Sequence, residues 1–397
     1  MKLFKKNNNY YALKQNSKYY SIESGGGSSI GIPREVSSQG VYQMPSTNFS
    51  FSLPSNATDI GAYAMYYAFR DCTGITSVDL SSLTTISGTQ AMYYAFYGCT
   101  NITSVDLSSL TTINGSQAMY FAFYGCTGIT NVDLSSLTTI SFSYAMYYAF
   151  YGCTGITSVD LSSLTTISGS GAMYSAFYGC TGITNVDLSS LTTINGTSVM
   201  YNAFRGCTNI TSVDLSNLTT INGSQAMYFA FYQTKLTSVD LSNLTTIEGY
   251  FALNYAFQNC TNLTSIDFSN LQIIGKNSSS TDYGQFSYCF DSCYNLTSIS
   301  FPKLEKIYCT AGNTTAYGTF AYNNRIQKLY FPKLDTITYG EGASSTNQTA
   351  CKYVFYGCSA LTEIHFGAAN QAAIQASPGY STLWGRGAGR ATVYFDL

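Results

Sequence analysis

Phenylalanine recurs every 27 residues from Phe69 through Phe96, Phe123, Phe150, Phe177 and Phe204 to Phe231. Its surroundings recur with it: Ala91 to Gln117 reads AMYYAFYGCTNITSVDLSSLTTINGSQ, and a new copy starts at Ala118. This period constrains the fold more than any other feature, because so short a unit cannot enclose its own apolar residues. Each copy must lie against the next, and the buried faces then merge into one continuous core. A globular chain of 397 residues would be expected to split into two or three domains. A stack of coils escapes that expectation, since every coil touches only its neighbours.

Within a unit, Ile75 to Ile86 reads ITSVDLSSLTTI, with Ile75, Val78, Leu80, Leu83 and Ile86 apolar. The first of these fit the L-x-x-L-x-L spacing of a leucine-rich repeat, although the usual Asn after the strand is replaced by Ser81 and Ser82. Val78 and Leu80 alternate with Ser77, Asp79 and Ser81, the period-2 pattern of a strand with one buried face. Serine, threonine and Gly88, Gly115, Gly169 or Gly196 mark a turn. Ala91, Ala95, Phe96 and Cys99 then fall at roughly helical spacing in a segment too short to be stable alone. The expected fold is therefore an α/β repeat: a right-handed leucine-rich-repeat solenoid of about eleven coils, with a parallel strand face and short helices or 3₁₀ turns on its back.

The pattern A-F-x-x-C-x-x-(I/L)-x-x-(V/I)-x-(L/F) is carried here by Ala95, Phe96, Cys99, Ile102, Val105 and Leu107 and by their equivalents elsewhere. It resembles the BspA-type leucine-rich repeat family over about residues 49 to 366. Met92–Tyr93 and the D-L-S-S segment are also similar to the related M-x-x-M-F repeats of bacterial surface proteins. The resemblance implies surface adhesion and binding of protein or glycan by microbes, some parasites and their viruses, and it implies no enzymatic activity.

Charged residues make up 10% of the chain and the net charge is −2, so the basic patch that nucleic acid requires is missing. No run approaches the ~18 apolar residues of a membrane span, so no membrane insertion is expected. The segment from Met1 has a basic head but no apolar region of the kind found in signal peptides. A surface-type repeat without a leader points to a non-secretory route, of which assembly into a virus particle is the commonest. The expected location is extracellular or on a virion surface. Of the 12 cysteines, Cys72, Cys99, Cys126, Cys153, Cys180, Cys207, Cys260, Cys293 and Cys358 share the repeat position, and Cys289, Cys309 and Cys351 do not. Equivalent cysteines in adjacent coils would be ~4.8 Å apart with side chains pointing in parallel, which disfavours disulfides and leaves a column of small buried hydrophobes. Cys289 and Cys293, four apart, are a weak metal signal, and neither a metal nor a cofactor is expected.

Residues 1–48 are not repeats. Two aromatic runs, Asn9 to Leu13 and Lys18 to Ile22, read as a hairpin, and Gly25 to Ser29 reads as a flexible joint. This head is expected to attach the protein to a virion or cell envelope, the alternative being a disordered leader. Residues 49–366 form the solenoid, opened by a degenerate strand in which Phe51 and Leu53 stand for Val78 and Leu80. After Phe231 the spacing of Phe257, Phe290, Phe320 and Phe355 becomes 26, 33, 30 and 35. The extra residues are assigned to loops at Gly275 to Ser287, Tyr308 to Gly318 and Thr338 to Lys352, either binding elements or neutral length drift. Residues 367–397 read as a cap: a helix over Ala368 to Ala376, Trp384 as its anchor, and a final strand from Ala391.

Stacking turns each outward position into a column. One is acidic: Asp79, Asp106, Asp133, Asp160, Asp187, Asp214, Asp240 and Asp267, continued by Ser300, Tyr330 and His365. Carboxylates ~4.8 Å apart repel by about 0.9 kcal/mol even in water, so raised pKa values are expected along it. Flanking hydroxyls, bound cations such as Ca²⁺, or a basic partner would each satisfy the column. Aromatic columns run through Tyr66, Tyr93, Tyr120, Tyr147, Tyr174, Tyr201 and Tyr228, and through Tyr97, Tyr124, Tyr151, Tyr178 and Tyr232. Exposed tyrosine among Ser, Asn and Gly is the composition of an adaptable recognition surface, and such rings can stack on sugars; the alternative is core and inter-coil packing. With one histidine and no nucleophile elbow, P-loop or paired catalytic carboxylates, catalysis is set aside. The expected function is adhesion to a surface glycan or protein receptor, as in a bacteriophage receptor-binding or decoration protein. The alternative is a structural spacer or bacterial cell-surface protein without a dedicated ligand.

Overall fold

The computed structural model describes residues 49–53, 55–275, 285–309, 319–339, 354–377 and 391–397, together with the backbone of five short strands between residues 3 and 30. Trp384 and most of the three expected loops lie outside the described residues. The chain is a parallel-strand β-solenoid of about eleven turns with very little helix, as its period requires. It divides into two compact units, Met1–Asp187 with Cys207–Asn209, and Leu188–Gly206 with Ile210–Leu397.

In the first unit, front strands Phe49–Ser52, Ile75–Asp79, Ser104–Asp106, Asn131–Asp133, Ser158–Asp160 and Asn185–Asp187 pair in parallel, in register but for one shift between Phe49 and Ser50. Phe51 lies opposite Val78, so the opening strand takes its place in the same ladder. A second ladder, unforeseen in the sequence, joins Thr85–Ile86, Thr112–Ile113, Thr139–Ile140 and Thr166–Ile167. Between the ladders the apolar positions close the core. Ile102, Leu107, Leu110, Ile113, Ala118, Met119, Phe123 and Cys126 are all fully buried. Before the solenoid, Leu3–Lys6, Asn9–Leu13 and Tyr19–Ile22 form an antiparallel three-stranded sheet, and Ser24–Gly25 pairs with Ser29–Ile30 across the expected joint.

The back of each coil is built differently from a helix. Odd-numbered amides bond locally: Ala91 to the Gly88 carbonyl, Tyr93 to Gln90, Ala95 to Met92, Tyr97 to Tyr94 and Cys99 to Phe96. Even-numbered amides reach the next coil instead: Gln90 to Ser116, Met92 to Ala118, Tyr94 to Tyr120, Phe96 to Ala122 and Gly98 to Tyr124, at 2.7–2.9 Å. The i→i+3 bonding of a 3₁₀ turn thus occurs at every second residue only. Gln90, Tyr94 and Gly98 have φ of 53°, 54° and 70°, placing a left-handed residue third in alternate turns, as in a type II turn. A helix would spend every amide on itself, whereas linked β-turns leave half of them to hold the neighbouring coil.

In the second unit, side strands Thr193–Ile194, Thr220–Ile221, Thr246–Ile247, Ile273–Ile274, Lys306–Cys309 and Thr336–Tyr339 pair in parallel. Front strands Ser238–Asp240 and Ser265–Asp267 form one pair. Ser298–Ser300, Lys328–Phe331, Glu363–Phe366 and Thr392–Phe395 form another ladder that ends the chain. The Phe290 to Phe320 spacing conceals a change beyond loop length. Phe320 stacks on Phe286 at 5.2 Å, and the Phe286 amide bonds the Thr319 carbonyl. The turn run is therefore one step shorter here, and Asn323 fills the gap: its Oδ1 accepts the Phe290 amide at 2.8 Å. The cap begins with a 3₁₀ turn, Ala368–Asn370, and continues as a helix over Gln371–Ala376 that buries Ile374.

Candidate recognition surfaces

The aspartates do stand in line. Asp79 pairs with Asp106, and Asp133 with Asp160 and then Asp187 in the first unit. In the second unit Asp240 pairs with Asp267, and Asp214 closes the strand Ser212–Asp214. Each carboxylate is engaged by its own chain. Oδ1 accepts the amide two residues on, from Ser81, Ser108, Ser135, Ser162, Ser216, Ser242 and Ser269. The hydroxyls of Ser81, Ser108, Ser135, Ser216 and Ser269 donate to the same oxygen. This D-x-S turn does the work of the missing asparagine and bends the chain off the strand. At Asp79 the Ser81 hydroxyl and then its amide hold the carboxyl below the usual carboxylate range, against a small rise from burial. The rise expected from like-charge repulsion is thereby reversed at Asp79, because hydrogen bonds to the ionised form outweigh it.

The aromatic columns are stacks. Tyr97, Tyr124, Tyr151 and Tyr178 follow one another at 4.8, 4.7 and 4.7 Å with planes within 9°. Tyr66, Tyr93, Tyr120, Tyr147 and Tyr174 repeat at 4.7–5.0 Å beside them. A third column went unread in the sequence: Tyr67, Tyr94, Phe121 and Tyr148, at 4.8–5.0 Å. Its members sit at φ near 54°, a conformation costly for a bulky side chain unless its surroundings impose it. All three columns are half-buried, while a fourth, Phe69 through Phe177, lies in the core. Ring faces are thus spent on one another, the inter-coil packing alternative, and are not left free to stack on sugars. Arg70 caps the first unit's outer columns, 5.1–5.5 Å from the rings of Tyr67, Tyr94 and Tyr97.

Tyr330 and His365 continue the aspartate register but form a separate cluster. His365 lies between Tyr330 and Tyr394, stacked at 4.8 and 4.6 Å. Its Nδ1 is 2.9 Å from Asp396 Oδ1, its Nε2 is 3.1 Å from Glu363 Oε2, and Lys328 Nζ lies 2.9 Å from that same Oε2. Both faces and both nitrogens of His365 are therefore occupied within the protein. Tyr394 and Asp396 were legible in principle, since V-Y-F in the last strand aligns with I-H-F.

The ten described cysteines are free and buried. From Cys99 on, thiols at the repeat position donate to the phenylalanine carbonyl of the preceding coil: Cys99 to Phe69, Cys126 to Phe96, Cys153 to Phe123 and Cys180 to Phe150, at 2.9–3.0 Å. Where the thiol is absent the pattern varies. Asn323 Nδ2 bonds the carbonyl of Phe286, whose ring Phe320 stacks on, and that of Phe320, whereas Thr234 Oγ1 turns to the Phe231 carbonyl of its own coil. Burial pushes the Cys126 and Cys260 thiols up to about 12, so the column is unreactive at neutral pH. Among the described residues no cluster of three metal-ligating side chains occurs, and no helix is long and apolar enough to cross a membrane.

In-register parallel ladders with one leucine-rich strand per turn define a leucine-rich-repeat solenoid. The chain belongs to the BspA-type leucine-rich repeat family: the profile described as "BspA type Leucine rich repeat region" matches six overlapping copies between residues 34 and 377. Among solved structures, a leucine-rich cell surface protein from Faecalibacterium prausnitzii A2-165 is 17% identical, with 94% of this chain and 97% of that one covered at a TM-score of 0.33. The pneumococcal vaccine antigen PcpA is 13% identical over 97% of this chain and 98% of its own, at a TM-score of 0.31. The functional domain of InlJ from Listeria monocytogenes, described as including a cysteine ladder, is 14% identical over 79% and 69%, at 0.13. No curated protein matches the chain. The family is typically non-enzymatic, and membership is consistent with recognition or adhesion at a surface.

Proposed function

We propose that the protein is a non-enzymatic adhesin that binds a surface glycan or protein receptor through its tyrosine-laddered back and its Asp- and Ser-lined front. The observation that carries this reading is the regularity of what faces outward. Each coil repeats the same tyrosine edges and hydroxyls at the 4.7–5.0 Å spacing of the rings. An array of identical weak contacts suits a large or repetitive ligand, because many shallow contacts add through multivalency. Residues 1–48 would attach the protein to a virion or cell envelope, the virion version being a phage receptor-binding or decoration protein.

A glycan array and a cell pull-down with the full chain test the reading. The matched variant changes Tyr97, Tyr124, Tyr151 and Tyr178 to Phe, keeping the stack and removing the hydroxyls. Retention on a microbial or mucin surface that the variant loses is the expected result; no retention on any surface counts against it. A spacer role is favoured by one observation. Thr103, Thr130 and Thr157 hydroxyls donate to the Thr76, Thr103 and Thr130 carbonyls of the preceding coil, so part of the polar surface serves the stack itself. Deleting two repeats separates the readings, since a spacer loses function only in proportion to length.

A further inference from the structure

We propose that His365 is the bolt of a pH-operated latch: as an imidazolium bound at both nitrogens it holds the closing strand Thr392–Phe395 on the solenoid, and loss of its proton loosens that strand.

The closing strand is held unlike its neighbours. Glu363–Phe366 buries Ile364 and Phe366 completely, whereas no side chain of Thr392–Phe395 is fully buried. Phe395 stacks on Phe366 at 5.7 Å, and the backbone pairs with Glu363–Phe366 as any strand of the ladder does. What this strand adds is polar side-chain contact, and that converges on one ring. Asp396 meets Nδ1, and Tyr394 stacks on the face that Tyr330 leaves free.

The chemistry of the ring dictates its charge. A neutral imidazole has one N–H and one lone pair, while both partners here are carboxylates that accept. Only the doubly protonated ring donates to Asp396 and Glu363 together. Deprotonation sets a lone pair against one carboxylate and removes the attraction to both. Every charged or titratable group facing the ring among the described residues belongs to three strands: Lys328 and Tyr330 on one, Glu363 beside His365, and Tyr394 and Asp396 on or just after the closing strand. Lys328 ties down Glu363, which keeps that carboxylate ionised and in place.

The direction of the effect follows. Burial alone would depress the His365 value, but the hydrogen bonds to Asp396 and Glu363 outweigh it and raise the value above the ordinary 6.5. A group raised on folding contributes stability that is complete below its unfolded value and is lost as pH rises through the folded one. The closing equilibrium therefore weakens with rising pH, tenfold for each unit of elevation.

His365 is the only histidine in the chain, so its imidazole signals in the NMR spectrum of the full-length protein need no assignment. Two measurements test the latch: the His365 titration, and hydrogen-exchange protection of the Thr392–Phe395 amides from pH 5 to 9, corrected for intrinsic rates. Amides of Ser104–Asp106 serve as the reference. The expected result is a midpoint above 6.5, with strand protection falling across that window and the reference unchanged. Substituting His365→Gln removes the pH dependence and leaves the strand poorly protected, while Asp396→Asn lowers the midpoint. A midpoint at or below 6.5, or strand protection that stays flat while His365 titrates, overturns the proposal. Both readings come from the wild-type chain, so they hold even where a variant fails to fold.

Discussion

The coils of the first unit and those that end the chain solve one problem in opposite ways. In the first, like stacks on like: tyrosine on tyrosine, phenylalanine on phenylalanine, and aspartate beside aspartate. At the end, unlike residues meet. Lys328 lies against Glu363, His365 against Tyr330 and Tyr394, and Asn323 completes what a cysteine does elsewhere. Copying one rung suits residues that attract their own kind, and aromatic rings do so cheaply. It penalises charge, which is why Asp79, Asp106, Asp133, Asp160, Asp214, Asp240 and Asp267 of the row each lean on the serine two residues on. Divergent coils escape that penalty by pairing opposite charges across strands, and in doing so they become sensitive to pH.

The sharpest way to break this comparison is to remove a ring from each kind of stack. Phe123 is fully buried between Phe96 and Phe150, at 5.0 and 5.2 Å. Phe123→Ala should cost about 3–5 kcal/mol in urea unfolding. Phe290 stacks on Phe257 at 6.1 Å and lies tilted against Phe286 at 6.2 Å, both looser than the Phe123 contacts, so Phe290→Ala should fall at the low end of that range. Equal costs would mean that the like-on-like column contributes nothing beyond burial. A smaller contrast concerns the left-handed turn position. Gly125 has φ of 70° with open space around its missing Cβ, so Gly125→Ala isolates backbone strain, about 1–2 kcal/mol. Asn259 holds the same position at 62°, and Asn259→Gly should change stability little.

How much of this was legible follows from the same contrast. The 27-residue period made the solenoid and the register of Val78, Val105 and Val132 readable, because exact repetition leaves one way to bury the alternating residues. The back was read as short helices or 3₁₀ turns, and its i→i+3 bonds are there at every second residue only. Ala91, Ala95 and Cys99 are spaced by four both in a helix and in paired β-turns, and what separates the two is which amides are shared with the next coil. The aspartate and tyrosine columns were visible as positions, with flanking hydroxyls and inter-coil packing among the alternatives, but the choice between alternatives rests on contacts that exist only once coils are 4.7–5.0 Å apart. His365 was read as the last member of the acidic row. Its partners Tyr394 and Asp396 lie beyond Gly367, where the repeat no longer aligns strands by eye.

A finer contrast tests what the aspartates are for. Asp133 Oδ1 accepts from the Ser135 amide and hydroxyl at 3.0 and 2.7 Å. Asp133→Ala removes both bonds and should cost about 1–2 kcal/mol. Asp133→Asn keeps an acceptor oxygen and relieves repulsion with Asp160 opposite, so its cost should stay below about 0.5 kcal/mol. If receptor binding also survives the Asn series, the acidic row is structural; if binding falls while stability holds, its charge is read by a partner.

The smallest effect bears on the cysteines and separates thiol chemistry from simple hydrogen bonding. Cys153 donates to the Phe123 carbonyl, and that oxygen also accepts the Cys126 amide, so it is never left bare. Asn323 shows that another donor serves at this position, with its Nδ2 3.0 Å from the Phe286 carbonyl. Threonine and valine have nearly the same shape and differ in one donor. Cys153→Thr should therefore be more stable than Cys153→Val by about 0.5–1.5 kcal/mol, the net worth of one hydrogen bond, read as the difference between their urea midpoints. Equal midpoints would reduce the column to apolar filling, and the Asn323 bond to the Phe286 carbonyl would then be incidental to it.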